Sequence, residues 1–268
     1  MHLKKNHPQA RILILEKGIL PQGATTKNAG FACFGSLSEL IDDLKTHSPE
    51  EVFQLVEKRW NGLALLRKNL GDKQIDFQQH NGFELCETKE FFEACISRKE
   101  EINQLLYPIF KADVFSISEN RFGFQKTHTQ YITNNFEGQI DTGKMAVELL
   151  SKVQQLGVKI LHGISVEGFT DLGTQVEVQT NAITFATHKI FIATNGFSNQ
   201  LLAEKVQPAR AQVLITKPIK NLQIKGTFHL DKGYYYFRNI NDQILFGGGR
   251  NLDFSTEETT VFGQTEII

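Results

Sequence analysis

Hydrophobic and polar positions fall into several patterns along the chain, and each predicts an element. Near the start, "ARILILEKG" (residues 10–18) is an apolar run closed by an acid, Glu16. An unbroken run of Ile and Leu predicts a strand buried on both faces. Ahead of it, "HLKKNHPQ" reads as the tail of a helix broken at Pro8. Behind it, "PQGATTKNAGFACFGS" (21–36) has small residues and no periodicity, so a loop or extended crossing segment is expected. Helical spacing begins at Leu37–Leu44. It resumes after "SPEE", which supplies an N-cap and acids for a first turn. This second pattern puts Val52, Leu55, Val56, Trp60, Leu63 and Leu66 on one face.

The middle of the chain changes character. "DFQQHNGFELCET" (76–88) alternates, and its Asn-Gly predicts a turn between strands. "KEFFEACISRKEEINQLLYPIF" (89–110) is a charged amphipathic helix, followed by strand-like "VFSISENRFGFQ" and "TQYITNN". "DTGKMAVELLSKVQQLG" (141–157) is a helix capped by Asp141 or Thr142 and ended by Gly157. "VKILHGISVEGF", "TQVEVQT" and "ITFATHKIFIATNGF" read as strands, and "KIFIATNG" (189–196) again predicts burial on both faces. So do "ARAQVLITKPI", "GTFHLDKGYYYFRNI" and "QILFGGGRN" read as strands, separated by turn residues. The final "FSTEETTVFGQTEII" caps a helix at Ser255 or Thr256 and begins an apolar pattern.

These patterns describe a mixed α/β chain in which α/β segments interleave with antiparallel-looking β structure. Composition narrows the class. The 268 residues carry a net charge of −1, without the basic surplus of a nucleic-acid binder. No apolar stretch approaches the ~20 residues of a membrane helix, and no signal-peptide shape follows the N-terminus. Cys33, Cys86 and Cys95 have no metal spacing and predict free thiols in a reducing cytoplasm. His80, His128, His162 and His229 also lack ligand spacing, so no metal site is expected and they read as structural or surface residues. With 21 Phe against one Trp and two Met, the core should be Phe-rich.

The candidate chemistry starts at Glu16. An acid closing the second strand of a βαβ dinucleotide unit accepts hydrogen bonds from the adenosine ribose hydroxyls. The glycine fingerprint of such a unit lies about 20 residues upstream of the acid. Only 15 residues precede Glu16, so the fingerprint and the first strand are expected outside these residues, and both ends read as cut.

The ordered set "ILILEKG", "GATTKNAGFACFG", "ISVEGF", "IFIATNGF", "QPARAQVLITKPI" and "GYYYFR…ILFGGGR" resembles the FAD-dependent oxidoreductase family of glycine, sarcosine and D-amino-acid oxidases. The resemblance implies a Rossmann-like FAD-binding domain (1–50 and 138–208) interleaved with an antiparallel-sheet substrate domain (51–137 and 209–254). Residues 255–268 would start a truncated helix. By position, Glu16 would hold the ribose with Lys17 alongside, and Thr25 and Thr26 would donate to the pyrophosphate. Asn28, Ala29, Gly30 and Phe31 would line the flavin. Val166 would sit at the adenine, and Ala193, Thr194, Asn195 and Gly196 near the pyrophosphate and ribitol. Cys33 would fall close to the flavin as a packing residue.

The implied reaction moves a hydride from the carbon beside an amine to flavin N5, with oxygen or another acceptor reoxidising the flavin. Its site needs a cation for a substrate carboxylate and aromatic walls. On a strand, Tyr234, Tyr236 and Arg238 share one face, and Tyr235 and Phe237 the other. Tyr236, Arg238 and Arg250 are therefore the substrate-binding candidates. A dehydrogenase that passes electrons to a carrier other than oxygen fits the same residues. So does a non-catalytic nucleotide-binding fragment, and these 268 residues alone are expected to bind FAD weakly or not at all.

Overall fold

The computed structural model describes residues 1–203 and 205–268. In chain order it begins with α1 (His2–Asn6), β1 (Leu13–Glu16), β2 (Phe31–Ala32), α2 (Leu37–Asp43) and α3 (Pro49–Leu70). Then come β3 (Gly82–Glu84), α4 (Lys89–Phe110), β4 (Phe115–Glu119), β5 (Gln130–Asn134), β6 (Gly138–Gln139) and α5 (Thr142–Gln155). Strands β7 (Lys159–His162), β8 (Val166–Asp171), β9 (Val176–Thr180), β10 (Thr184–Thr187) and β11 (Val213–Ile215) follow. The last elements are β12 (Thr227–Leu230), β13 (Tyr235–Ile240), β14 (Gln243–Gly248) and α6 (Phe254–Glu257).

The helices start where their caps dictate. Ser36 and Glu39 form a reciprocal capping box on α2, and Ser48 and Glu51 form another on α3, where Pro49 opens the first turn. Val52, Val56 and Leu70 carry α3's buried stripe, with Trp60, Leu63 and Leu66 half-buried beside it. Leu55, expected on that face, is instead exposed, because a stripe along 52, 56, 60 and 63 leaves it off the edge. Gly157, with φ +76°, lies just past the end of α5, as its position in the sequence predicts.

The chain divides into two compact units. The first gathers Met1–Asn28, Thr142–Arg210 and Ser255–Gly263; the second gathers Ala29–Asp141, Ala211–Phe254 and Gln264–Ile268. Residues 29–50, grouped with the cofactor domain in the sequence, therefore pack in the second unit.

In the first unit, β1 pairs parallel with β7, from Leu13 opposite Lys159 to Glu16 opposite His162. Strands β8, β9 and β10 form a separate antiparallel sheet. Two expectations fail here. Leu13 and Ile14 remain 40% exposed rather than buried on both faces, because β7 is the one strand paired with β1 among the described residues. "KIFIATNG" forms no strand: it runs irregularly into a 3₁₀ turn at Asn195–Gln200, with Phe191 exposed. Composition can favour a strand at both places, but a strand is buried only between partners. The apolar pattern after Ser255 does not extend a helix either, since α6 spans only Phe254–Glu257. Its last residue, Glu257, is buried against the Arg210 guanidinium at 2.8 Å.

In the second unit, seven strands order as β11-β14-β13-β12-β3-β5-β4, antiparallel except for the parallel β12–β3 pair. The Asn-Gly at 81–82 is not a hairpin turn. Asn81 takes φ +69° immediately before β3, whose partners β5 and β12 come from distant sequence. Helices α2, α3 and α4 bury Leu37, Leu40, Val52, Val56, Ile102 and Leu106 in one core cluster with Phe115 and Ile132 of the sheet. Asn103 of α4 clamps β4 through both its amide atoms, at 2.9 and 2.8 Å from the Phe115 backbone. A second, Phe-rich cluster joins Phe83, Tyr131 and Phe228 to Phe122, Phe124 and Phe237, with Phe228 and Phe237 stacked at 4.5 Å.

Candidate active site

At the end of β1 the backbone turns sharply. Glu16 Oε1 accepts the Gly18 N–H at 2.8 Å, which leaves its second oxygen without a hydrogen bond among the described residues. The Glu16 and Gly18 carbonyls accept from the Ile164 and Gly163 N–H groups, so β1's acid and the loop leading into Val166 meet at one end of the parallel pair. Lys17 is exposed there. In the loop that follows, the Thr26 hydroxyl bonds to the Pro21 and Gly23 carbonyls, and the Asn28 amide to the Ala24 and Thr25 carbonyls. These two side chains shape their own loop, while Thr25 is exposed. Ala193 and Thr194 lead into the 3₁₀ turn that Asn195 and Gly196 begin. Asn195 is left-handed at φ +49°, and Thr194 Oγ1 is buried without a partner among the described residues.

The second unit carries an unusual row of polar side chains on one face of its sheet. Strand alternation puts Glu84, His229 and Tyr236 side by side on β3, β12 and β13, and Thr227 and Arg238 in the next row. The opposite face takes Phe83, Phe228 and Phe237, which is why the phenylalanines alternate with these polar residues. Such a face cannot be buried without partners for each group.

The chain supplies those partners from Glu137 and from the segment 29–38. Glu137 Oε1 accepts from His229 Nε2 at 2.6 Å and from Thr227 Oγ1 at 2.7 Å. Its carboxylate sits over Gly82, where a Cβ would come within 2.3 Å of it. Glu84 accepts from the Ser38 hydroxyl, from the Ser38 N–H at 3.2 Å and from the Ser36 hydroxyl at 3.3 Å. All three guanidinium nitrogens of Arg238 donate to main-chain carbonyls: Nε to Ala29, Nη2 to Ile140 at 3.0 Å and Nη1 to Asn239 at 3.4 Å. Gly30 lies against that guanidinium with φ +73°, and a Cβ there would meet the Ile140 carbonyl at 2.4 Å. Phe31 closes the row in edge-to-face contact with His229 at 5.2 Å and with Tyr236 at 5.6 Å. Tyr236 in turn leans over Gly247, where a Cβ would strike its ring.

Burial sets the electrostatics of this layer. It pulls the His229 imidazole down, but the charge and hydrogen bond of Glu137, with the Glu39 and Glu84 charges, outweigh it, and the group is held up at about 9. Burial pushes the Glu84 carboxyl up, against the Ser38 hydrogen bonds. Cys33, on the same segment, has its thiol raised by burial and by the Glu137 and Glu39 charges. The Tyr236 phenol is raised by burial.

The sequence candidates thus separate. Glu16, Lys17, Thr25, Thr26, Asn28, Val166 and Ala193–Gly196 lie in the first unit, and Ala29, Gly30, Phe31, Tyr236, Arg238 and Arg250 in the second. Tyr236 and Arg238 share a face, as alternation requires. Tyr234 does not join them, because it precedes the strand and follows a short 3₁₀ turn. Arg238 is buried and committed to carbonyls, so the substrate-carboxylate role read for it in the sequence gives way to anchoring. Arg250 follows Gly248 and Gly249, both at positive φ, and lies 5.3 Å from the Phe254 ring. Its Nε is buried with no hydrogen-bond partner among the described residues. Sequence reasoning missed Glu137, Glu84, Ser36 and Ser38 and left His229 without a role. The one available signal was polar residues alternating with Phe in "NGFELC" and "GTFHL".

A parallel pair whose first strand ends in an acid is the arrangement found in βαβ dinucleotide-binding units. The chain belongs to the FAD dependent oxidoreductase (DAO) family, whose model it matches over residues 1–266. It is 26% identical over 133 residues to the bifunctional protein ThiO/ThiG of Trichormus variabilis, which is 48% of this chain and 20% of that protein. Its fold is similar to glycine oxidase from Geobacillus kaustophilus, with a TM-score of 0.63 at 17% identity, covering 90% of this chain and 66% of that one. It is also similar to L-amino acid deaminase from Proteus myxofaciens, with a TM-score of 0.65 at 17% identity over 91% and 54% of the two chains. L-proline dehydrogenase from P. horikoshii aligns at TM-score 0.62 and 16% identity over 96% and 73%. The chain thus spans less than two thirds of the ThiO/ThiG, glycine oxidase and deaminase lengths. The mixed α/β class and the family read from the sequence both hold, and FAD is the family's cofactor.

The residues present fit that cofactor at both ends. Among the described residues, a carboxylate oxygen at the end of β1 is open to a ribose hydroxyl, and the buried Thr194 hydroxyl has no hydrogen-bond partner.

Proposed function

We propose that this chain is the cofactor- and substrate-binding part of a flavin oxidoreductase that oxidises a C–N bond of a small, carboxylate-bearing amine. Bound FAD supplies the two-electron acceptor for such a reaction. Glu16 holds the adenosine ribose, Val166 meets the adenine, and Thr194 and its neighbours lie along the pyrophosphate and ribitol. Ala29, Gly30 and Phe31 present backbone and ring to the flavin, and glycine at 30 allows the left-handed turn against Arg238 that holds them there. Tyr236 forms an aromatic wall. The observation that carries the amino-acid reading is Arg250: its buried Nε has no hydrogen-bond partner among the described residues, and a guanidinium suits a planar carboxylate.

The test begins with the visible spectrum of the purified chain after incubation with FAD, alongside any longer form its gene encodes. A yellow protein whose colour bleaches anaerobically with amino acids supports the reading; Glu16→Ala should then weaken FAD binding. Arg250→Ala should raise KM for amino acids by about 10- to 100-fold, with little effect on amines lacking a carboxylate. Oxygen uptake against dye reduction distinguishes oxidase from dehydrogenase. If no form takes up FAD, the proposal fails.

A further inference from the structure

The buried charges beneath Phe31 have no part in the chemistry above, yet the fold spends several polar contacts on them. His229 lies under Phe31 with the two rings perpendicular, Glu137 grips His229 from the loop between β5 and β6, and Arg238 ties down the carbonyl of Ala29. Strand β2 itself is only two residues long and pairs with an equally short β6. Two ladder residues are too few to hold a segment containing a left-handed glycine, so its position depends on what lies below it.

We propose that the Glu137–His229 ion pair is the positioning device of the Ala29–Ala32 segment, seating Phe31 from below while Arg238 pins the backbone beside it. The link from this segment to the cofactor rests on the functional reading above; the positioning itself does not. The arrangement suits the task. A charged imidazole held at Nε2 by a buried carboxylate resists rotation, and its edge-to-face contact gives the Phe31 ring a fixed seat. Thr227 occupies the same Glu137 oxygen and fixes the carboxylate in turn. The charged and titratable groups facing His229 are Glu137, Glu84 from β3, Glu39 from α2 and Tyr236 from β13. The three carboxyls favour the imidazolium; Tyr236 stays neutral, its phenol raised by burial. Positioning should therefore persist at neutral pH and weaken as His229 loses its proton at about 9.

The experiment is amide hydrogen exchange on the full chain, wild type against His229→Gln and Glu137→Gln. Both variants should speed exchange in residues 29–35 and 138–140 by tenfold or more, on the order expected when one partner of a buried pair is lost. The Asn103-clamped β4–β5 pair should exchange as before. The wild type, corrected for intrinsic base catalysis, should show the same local rise above about pH 9. The double variant Glu137→Gln/His229→Gln, which removes both charges of the pair, separates positioning from mere destabilisation: the whole sheet should recover protection while residues 29–35 stay fast. Unchanged exchange at 29–35, or an equal rise across the sheet in every variant, overturns the proposal. FAD affinity is measured in parallel. Fast exchange with wild-type affinity overturns the link to the cofactor, whereas a wild type that binds no FAD overturns the functional reading and leaves the exchange result to decide the positioning.

Discussion

Arg238 shows how one residue can look like a substrate ligand in sequence and act as a scaffold in the fold. Its guanidinium reaches three carbonyls, two of them from segments about 100 and 210 residues away. Arg238→Met would leave those carbonyls buried without donors, and unfolding free energy in urea should fall by about 2–5 kcal/mol. Arg238→Lys keeps a charge but loses the fork, so it should recover only part of that loss. Glycines make a sharper pair. Gly30→Ala meets both a positive φ and the Ile140 carbonyl, so it should destabilise. Gly62, inside α3 with open space around it, should gain roughly 0.5–1 kcal/mol as Ala. Thermal unfolding of the two variants should shift in opposite directions. None of this was visible at residue 238 or 30 in the sequence, because each role depends on where Ile140 lies.

At the level of elements, the helices were the most legible parts. Ser48, Pro49, Glu50 and Glu51 announce the start of α3, and the structure builds a capping box from them. Ser48→Ala should cost about 1 kcal/mol in denaturant unfolding, with an unchanged m-value. The strands were less legible. "ILILE" and "KIFIATNG" have nearly the same apolar character, yet one pairs and the other does not. The Asn81-Gly82 dipeptide has the residues of a hairpin turn but only enters β3, whose neighbours lie about 50 residues ahead on β5 and 145 on β12. A helix makes its hydrogen bonds within itself, whereas a strand must find them elsewhere.

For the whole molecule, the buried charge layer predicts a pH dependence. His229 is held above its ordinary value of 6.5, so its contribution is complete below about 6.5 and is lost as pH rises through about 9. Burial raises the Glu84 carboxyl, which has the same sign: stability is lost as pH rises above its ordinary value of 4.5. Urea midpoints should therefore fall between about pH 6.5 and 9, and Glu137→Gln should flatten that slope by releasing His229. The order of apolar runs, caps and glycines, together with the acid closing the first strand, was enough to determine helices α2 to α5, the mixed α/β class and the flavoprotein family. Those signals are local, or lie in a linear order that family members share. Tertiary structure alone decided that residues 29–50 join the second unit, that Arg238 anchors rather than receives, and that Glu137, His229 and Glu84 meet under Phe31. These outcomes turn on pairings between residues roughly 50 to 210 positions apart, and no local pattern specifies which distant strand a face will meet.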